Sequence, residues 1–178
     1  MNILNIEIKA WCKKPDDIEK ILMQRNARFA GIDRQIDTYF HSPDGRLKLR
    51  EGNIEKSLIH YNRIETKDLK KSEVLLYKPQ GETSALKKIL EKNLGIKVVV
   101  EKERKIYFID NVKFHLDTID GLGTFVEIEA IDETLQLGED KLKAQCQKYI
   151  ELFKIRQNEL IDRSYSDMVL ELNRKVRN

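Results

Sequence analysis

The 178-residue sequence has few of the residues that mark cross-linked or membrane-spanning proteins. Its only two cysteines, Cys12 and Cys146, match no metal or redox spacing, so a disulfide framework is not expected. No stretch is apolar for long enough to span a membrane. Glu7 and Lys9 interrupt the N-terminal segment where a signal peptide needs an apolar run. We therefore expect a cytoplasmic protein with no membrane partner.

The glycine motifs that bind phosphate through the backbone are also missing. The sequence contains no GxxxxGK[ST] loop, no Rossmann glycine pattern and no GxSxG elbow. The GLG at 121–123 is typical of a hairpin turn instead. A protein with this sequence that binds a phosphate chain must therefore do so with side chains.

Length and composition favour one globular domain without a nucleic-acid partner. Charged residues make up 35% of the chain, yet 33 basic and 30 acidic residues leave a formal net charge of only +3. RNA binding would favour exposed aromatic residues beside an outer basic patch, whereas leucines flank the basic residues of RLKLRE. We predict one domain over residues 1–172, followed by a basic tail, 173–178, that frays.

Alternation of apolar and polar residues predicts eight strands. They lie at 2–10, 37–41, 46–51, 57–65, 73–78, 96–109, 112–119 and 124–131. Apolar stripes and capping residues predict helices at 15–27, 83–95, 138–153 and 166–172. Because most connections between strands are short, the sheet is expected to be largely antiparallel. The fold class is therefore α+β, with helices packed outside one many-stranded sheet.

The polar faces of these strands carry nine basic residues and four carboxylates. The basic residues are Lys9, Arg46, Lys48, Arg50, Arg63, Lys78, Lys102, Arg104 and Lys113, and the carboxylates are Glu7, Asp117, Glu127 and Glu129. One interpretation is a solvated outer face of a half-buried sheet. The other is a barrel with these faces inward, in which nine cations need a compensating anion. A polyphosphate suits that role, and the carboxylates would then hold Mg²⁺ or Mn²⁺.

Several segments resemble the CYTH superfamily, the triphosphate tunnel metalloenzymes. NIEIK resembles the family's Glu-x-Glu-x-Lys strand through Glu7 and Lys9, although Asn5 stands in place of the first Glu. QIDTYFHSPDGRLKLRE, LYKP, KER, LDTIDGLGTFVEIEA and the SYSD at 164–167 resemble the later motifs in the same order. The resemblance covers residues 3–170 and is closest to the class IV adenylate cyclase branch.

The resemblance implies an eight-stranded antiparallel β-barrel or tunnel with helices packed outside. It implies a divalent-metal-dependent enzyme, with Mg²⁺ or Mn²⁺, that acts on a nucleoside triphosphate or another triphosphate. The nearest branch converts ATP to cyclic AMP and pyrophosphate. An inorganic or organic triphosphatase and a non-catalytic binding module remain alternatives, the latter because Asn5 supplies no charge. A homodimer is left open.

The resemblance also assigns roles to residues. The expected phosphate-binding residues are Lys48, Arg50, Arg63, Lys102, Arg104 and Lys113, and the expected metal ligands are Glu7, Asp117, Glu127 and Glu129. Lys9 and Lys78 are expected to be catalytic, either through phosphate contact or by tuning a nucleophile. The plainer alternative for every one of them is an ordinary surface charge. His115 is expected to orient other groups, and Tyr165 to pack near the tunnel mouth.

Overall fold

A computed structural model describes residues 3–63 and 70–177 and shows an eight-stranded antiparallel barrel. The strands are β1 (Ile3–Trp11), β2 (Arg28–Phe40), β3 (Arg46–Glu51), β4 (Lys56–Arg63), β5 (Lys70–Tyr77), β6 (Ile96–Ile109), β7 (Val112–Ile119) and β8 (Gly123–Asp132). The helices are α1 (Pro15–Gln24), α2 (Ser84–Leu94), α3 (Glu139–Leu152) and α4 (Tyr165–Arg177). The order around the barrel is β1-β5-β4-β3-β2-β6-β7-β8.

Strand β1 closes the barrel because it pairs with two strands that are distant in sequence. Ile3 pairs with Val74 on β5, and Trp11 pairs with Phe125 on β8. Every neighbouring pair of strands is antiparallel. The predicted α+β class and the predicted eight-stranded antiparallel barrel are therefore confirmed.

The main hydrophobic core lies outside the barrel, between the strands and two helices. Ile6, Phe114 and Ile128 are fully buried on the outer faces of β1, β7 and β8. Leu22 of α1 and Leu142 of α3 pack against them. Since successive side chains of a strand point to opposite faces, covering the outer face directs the intervening polar residues inward.

A second hydrophobic cluster, which we call the apolar plug, fills one end of the barrel. Its members are Tyr39, Val98, Val100, Ile119, Phe125, Ile161, Tyr165 and Met168. Val98, Val100 and Phe125 belong to the inward-facing series of β6 and β8, and the last three members come from α4 and the segment before it. Helix α4 therefore covers this end.

Strand β2 is much longer than predicted, because it begins at Arg28 rather than at residue 37. Its first part places Asp33 and Gln35 inside the barrel, each almost fully buried. Polar residues in that position do not resemble an ordinary half-buried strand, in which the inner face is apolar. The start of β2 was therefore missed because its polar residues face a closed, polar interior.

Two helices also differ from expectation. Helix α4 begins at Tyr165 and continues to Arg177, beyond the predicted end at residue 172. Helix α2 has no buried residue, and Ile89 of its predicted apolar stripe is 58% exposed. Among the described residues, no helix combines the length and apolar character needed to cross a membrane.

Candidate functional site

The interior of the barrel holds a cavity of about 420 Å³ whose walls carry charges of both signs. Predicted site residues that line it are Glu7, Lys9, Lys48, Arg50, Lys78, Lys102, Arg104, Lys113, Glu127 and Glu129. Asp117 is buried beside the cavity and bonded to Arg104. The side chain of Arg63 lies outside the described part of the structure. The interpretation with these charges on an outer, solvated face is therefore wrong for the lining residues other than Lys78, which is exposed.

Asp37 is the centre of the largest group of cations. Its Oδ2 lies 2.8 Å from Lys48 Nζ and 3.1 Å from Lys102 Nζ. Arg50 donates from Nε and Nη2 to the two carboxylate oxygens at 2.8 and 2.9 Å. Burial raises the pKa of Asp37, but Arg50, Lys102 and Lys48 outweigh it and hold the pKa well below its usual range.

Arg104 organises a second group on β6 and the next two strands, β7 and β8. Its Nε and Nη2 donate to Asp117 at 2.6 and 2.5 Å, and Nη2 also donates to Glu127 at 2.6 Å. The hydroxyl of Tyr165 donates to Asp117 at 2.8 Å. Glu127 also lies 3.2 Å from Lys9 Nζ. Both oxygens of Asp117 are therefore already bonded to protein groups.

Tyr165 connects the apolar plug to the charged cavity. Its ring lies 3.7 Å from Lys9 Nζ, as in a cation–π contact, and packs edge-on against Phe125 at 5.0 Å. Next to it, Ser164 and Asp167 accept hydrogen bonds from Arg46, at 2.5 and 2.9 Å. The start of α4 is thereby tied to β3 as well as to the cavity.

A loop carboxylate enters the cavity between β3 and β4. Glu55 accepts from Arg50 Nη1 at 3.0 Å and from Gln35 at 3.1 Å, and it also pairs with Lys113. Burial raises the pKa of Glu55, but Lys113 and Arg50 lower it below its usual range. The loop is held by Asp33, whose oxygens accept from the backbone N–H groups of residues 54 and 55.

Two buried bases have strongly lowered pKa values. Burial and the charge of Arg104 lower the pKa of Lys102 to about 7, although Asp37 acts in the other direction. Burial and Arg104 also lower the pKa of His115 to about 3, despite its hydrogen bond to Glu127 at 3.1 Å. His115 is therefore a neutral imidazole at physiological pH, and its contact with Glu127 agrees with an orienting role.

Glu7 and Glu129 are directly opposite each other on β1 and β8, on the inner face of the barrel. Burial raises the pKa of Glu129, and the like charges of Glu7 and Glu127 add to this, while Lys113 lowers it. Asn5 Nδ2 donates to Glu129 at 2.5 Å, and Asn5 Oδ1 is buried without a hydrogen-bond partner among the described residues. The carboxylate oxygens of Glu7 and Glu129 and the amide oxygen of Asn5 therefore lie where an added positive charge would be stabilised.

This donor set fits a hard divalent cation, which prefers carboxylate and carbonyl oxygen ligands. In the present arrangement, however, no three His, Cys, Asp or Glu side chains of residues 3–63 and 70–177 are grouped closely enough to hold a metal. The four predicted ligands fall into two groups. Glu7 and Glu129 face each other, whereas Asp117 and Glu127 share Arg104.

The structure also shows what the sequence reasoning missed. The cations do not depend on an external anion alone, because Asp37 and Glu55 neutralise part of their charge. Asp37 and Tyr39 share one face of β2, and this spacing was a usable signal, since Asp37 pairs with Arg50 across the sheet. Glu55 lies in a loop and gives no periodic signal. Lys78, a predicted catalytic residue, is exposed at the edge of the cavity.

Comparisons with known proteins give one family match and several structures of similar fold. The model of the CYTH domain matches residues 4–165. A relative in Methanocaldococcus jannaschii, named "Putative adenylate cyclase MJ0240", is 24% identical over 93% of this chain and 98% of its own. Among solved structures, the PH1012 protein from Pyrococcus horikoshii has a TM-score of 0.77 at 22% identity and covers 92% of this chain and 98% of its own. HpAC1 from Hippeastrum has a TM-score of 0.59 at 13% identity, covering 87% of this chain and 89% of its own.

Proposed function

Because the chain belongs to the CYTH domain family, we propose that it is a divalent-metal-dependent enzyme that acts on a triphosphate inside the barrel. Its proposed reaction is that of a class IV adenylate cyclase. The 3′-hydroxyl of ATP attacks the α-phosphorus, the bond to the β-phosphate oxygen breaks, and cyclic AMP and pyrophosphate are released. The relative from M. jannaschii, which is named a putative adenylate cyclase and matches 93% of this chain, supports this reaction over the others.

One observation carries the proposal: Lys9 and four other buried cations line a single cavity. We call Lys48, Arg50, Lys102 and Arg104 the cationic clamp, and each is at most 8% exposed. Arginine and lysine bind phosphate oxygens with charge-assisted hydrogen bonds, and these bonds are stronger where water is excluded. Phosphoryl and nucleotidyl transfer depend mainly on positioning and charge neutralisation, which such a clamp supplies.

The remaining predicted residues have proposed roles beside the clamp. Lys113, at the Glu55 loop, and Arg63 would bind outer phosphate oxygens, and Lys9 and Lys78 would contact phosphate or orient the attacking hydroxyl. Glu7, Glu127 and Glu129, with Asp117 nearby, would hold Mg²⁺ or Mn²⁺, and Asn5 would offer a carbonyl oxygen. The ion would neutralise charge on the phosphate chain.

A triphosphatase is the second candidate, in which water attacks the terminal phosphorus. HpAC1, which shares the fold, is described as having a dominant triphosphatase activity. The clamp would serve both reactions, since each requires a bound triphosphate. A binding module without turnover is the third candidate, and Asn5 is the reason, because it brings no charge to a position where the family motif has Glu.

A product assay separates these candidates. Purified protein is incubated with ATP or tripolyphosphate and Mg²⁺ or Mn²⁺, and the products are identified. Cyclic AMP with pyrophosphate is expected, orthophosphate would indicate the hydrolase, and tight binding without any product would indicate the binding module.

Matched variants connect the activity with the cavity. Arg50→Ala and Glu129→Ala are expected to abolish most of the turnover. Arg34→Ala and Glu103→Ala remove the same residue types from an exposed ion pair on the outer face and should behave like the parent. If Arg50→Ala and Glu129→Ala also matched the parent, the proposed site would be wrong.

A further inference from the structure

One nitrogen of a histidine in the cavity wall is buried without a hydrogen-bond partner. His115, on β7, lines the cavity and is 2% exposed. Its Nδ1 lies 3.1 Å from Glu127 Oε2. Because an ionised carboxylate only accepts hydrogen bonds, Nδ1 must donate, and the lone pair of the neutral ring is then on Nε2. Among the described residues, Nε2 has no hydrogen-bond partner.

This nitrogen lies close to a carboxylate of the next strand, Glu129 on β8. The distance from His115 Nε2 to Glu129 Oε2 is 4.0 Å, which is too long for a hydrogen bond. Two atoms that bind the same ion can lie up to about 4.2 Å apart, because bonds from divalent ions to nitrogen and oxygen are about 2.1 Å long. One ion between the two side chains therefore requires only small side-chain movements.

Two further oxygen donors lie beside Glu129. Asn5 donates from Nδ2 to Glu129, while its Oδ1 is buried with no hydrogen-bond partner in the described part of the chain. Glu7 is opposite Glu129 on β1. A buried polar atom without a partner costs free energy. A cation beside Glu129 would provide the partner that Asn5 Oδ1 and His115 Nε2 each lack.

Glu127 has the position of a group that orients the imidazole. Its Oε1 lies 3.2 Å from Lys9 Nζ, and its Oε2 accepts from Arg104 at 2.6 Å as well as from His115. Histidines that bind metals usually donate their other ring N–H to a carboxylate, which fixes the tautomer and makes the ligating nitrogen more basic. The pair of Glu127 and His115 has this arrangement.

A nitrogen ligand changes which ion a site prefers. Mg²⁺ is bound almost entirely through oxygen, whereas imidazole suits transition-metal ions, and the affinity of a mixed nitrogen and oxygen site rises from Mn²⁺ to Co²⁺. Asn5 brings an amide oxygen without a negative charge, which further disfavours Mg²⁺. The donor set therefore favours a transition-metal ion.

We infer that His115 Nε2, with oxygens of Glu129, Asn5 and Glu7, binds a first-row transition-metal ion such as Mn²⁺ or Co²⁺ in preference to Mg²⁺, before any triphosphate is bound. The inference rests on the proposed function, because it concerns the ion of the same site. It makes His115 a ligand of that ion and Glu127 the residue that positions His115.

The nitrogen ligand can be detected directly in the parent protein. Protein without an affinity tag, carrying ¹⁵N in its histidine rings, is mixed with Mn²⁺ alone, and electron spin-echo envelope modulation records coupling between the ion and ¹⁵N. We expect a histidine coupling that His115→Gln abolishes. His41→Gln and His60→Gln are matched controls, since His41 is exposed just beyond β2 and His60 bonds to the backbone oxygen of Asp44.

Calorimetric titration of Mn²⁺ and Mg²⁺ into the same proteins measures the preference. The parent should bind Mn²⁺ more tightly than Mg²⁺. His115→Gln should weaken Mn²⁺ binding about tenfold, since even the loss of a group that supports a metal ligand costs this much, and should leave Mg²⁺ binding unchanged. A variant that fails to fold would lose both ions. In that case, retention of the coupling in both control variants still identifies His115, because the chain has three histidines.

The inference is overturned if the parent shows no histidine coupling, if either control variant removes it, or if folded His115→Gln keeps the preference for Mn²⁺. Oxygen ligands alone would then hold the ion, and the proposed function would be intact. If the parent binds neither Mn²⁺ nor Mg²⁺, with or without tripolyphosphate, the proposed metal dependence fails, and the inference fails with it.

Discussion

Asp37 and Arg50 face each other across β2 and β3 and form a two-pronged ion pair inside the barrel, with N–O distances of 2.8 and 2.9 Å. Lys48 and Lys102 bond to the same carboxylate. One buried acid thus allows three cations to remain together in the absence of a ligand. The site is preorganised for an anion because the protein has already offset part of the repulsion.

Replacement of this acid should destabilise the protein. Asp37→Asn removes the counter-charge of three buried cations, and we expect a loss of about 3 kcal/mol in the free energy of unfolding. Because the folded pKa lies below the unfolded value, this stabilisation is complete above about pH 4 and is lost as the pH falls further.

Urea denaturation at a series of pH values measures both effects. The free energy of unfolding of the parent should fall steeply in acid. That of Asp37→Asn should be lower at neutral pH and should fall less as the pH is lowered. Asp44→Asn, at a hairpin turn, is the control and should follow the parent. Equal stability of parent and Asp37→Asn at pH 7 would contradict the proposed role of Asp37.

The pKa of Lys102, lowered to about 7, predicts that phosphate binding depends on pH. Lys102 is charged below this value and loses its charge above it, so affinity for an anion should fall as the pH rises from 6 to 8.5. Calorimetric titration of tripolyphosphate over this range measures the change. Lys102→Met should bind more weakly at pH 6 and show less of this dependence. An identical pH dependence in both proteins would exclude Lys102 as its source.

Removal of the loop carboxylate should strengthen binding. Glu55 pairs with Arg50 and Lys113 and so competes with any incoming phosphate group. For Glu55→Gln we expect roughly tenfold tighter binding of tripolyphosphate, because a negative charge beside two cations is lost. Glu103→Gln, on the outer face, should leave the affinity unchanged. Weaker binding by Glu55→Gln would show that Glu55 supports the ligand instead of competing with it.

The loop that carries Glu55 depends on a glycine. A Cβ atom on Gly52 would lie 2.5 Å from Asp33 Oδ1 and 2.8 Å from the backbone oxygen of Glu55. Gly52→Ala should therefore cost about 2 kcal/mol, a typical penalty for overpacking, and displace the loop. Thermal unfolding measures the cost. Lys56→Ala, at an exposed position near the same turn, should unfold like the parent.

The strands were predictable because polar and apolar residues still alternate along each strand when a sheet closes into a barrel. The series Glu127, Ile128 and Glu129 indicated one polar and one apolar face, and the structure places the polar face inward. The first part of β2 was missed because Asp33 and Gln35 occupy the inner face, where a sequence rule expects apolar residues. Periodicity reports the two faces of a strand but not which of them is enclosed.

The sequence indicated which residues lie in the site better than it indicated which of them bond to each other. Alternation indicated Arg104 and Asp117 as polar residues of their strands, but their direct pairing depends on strand register. Glu55 could not be found, because its position depends on Asp33 holding a loop from another strand pair. Contacts that join distant segments through loops leave no local pattern in the chain.

In the described part of the structure, the apolar plug closes one end of the barrel. Along β8, Phe125 belongs to the plug, and Glu129 lies four residues further toward the opposite end, near the Glu55 loop. A substrate would then enter, and its products would leave, through the opposite end of the barrel. In a reaction with two products, the product nearer the open end must leave before the deeper one. The order of release then depends on the shape of the barrel as well as on the affinities of the two products.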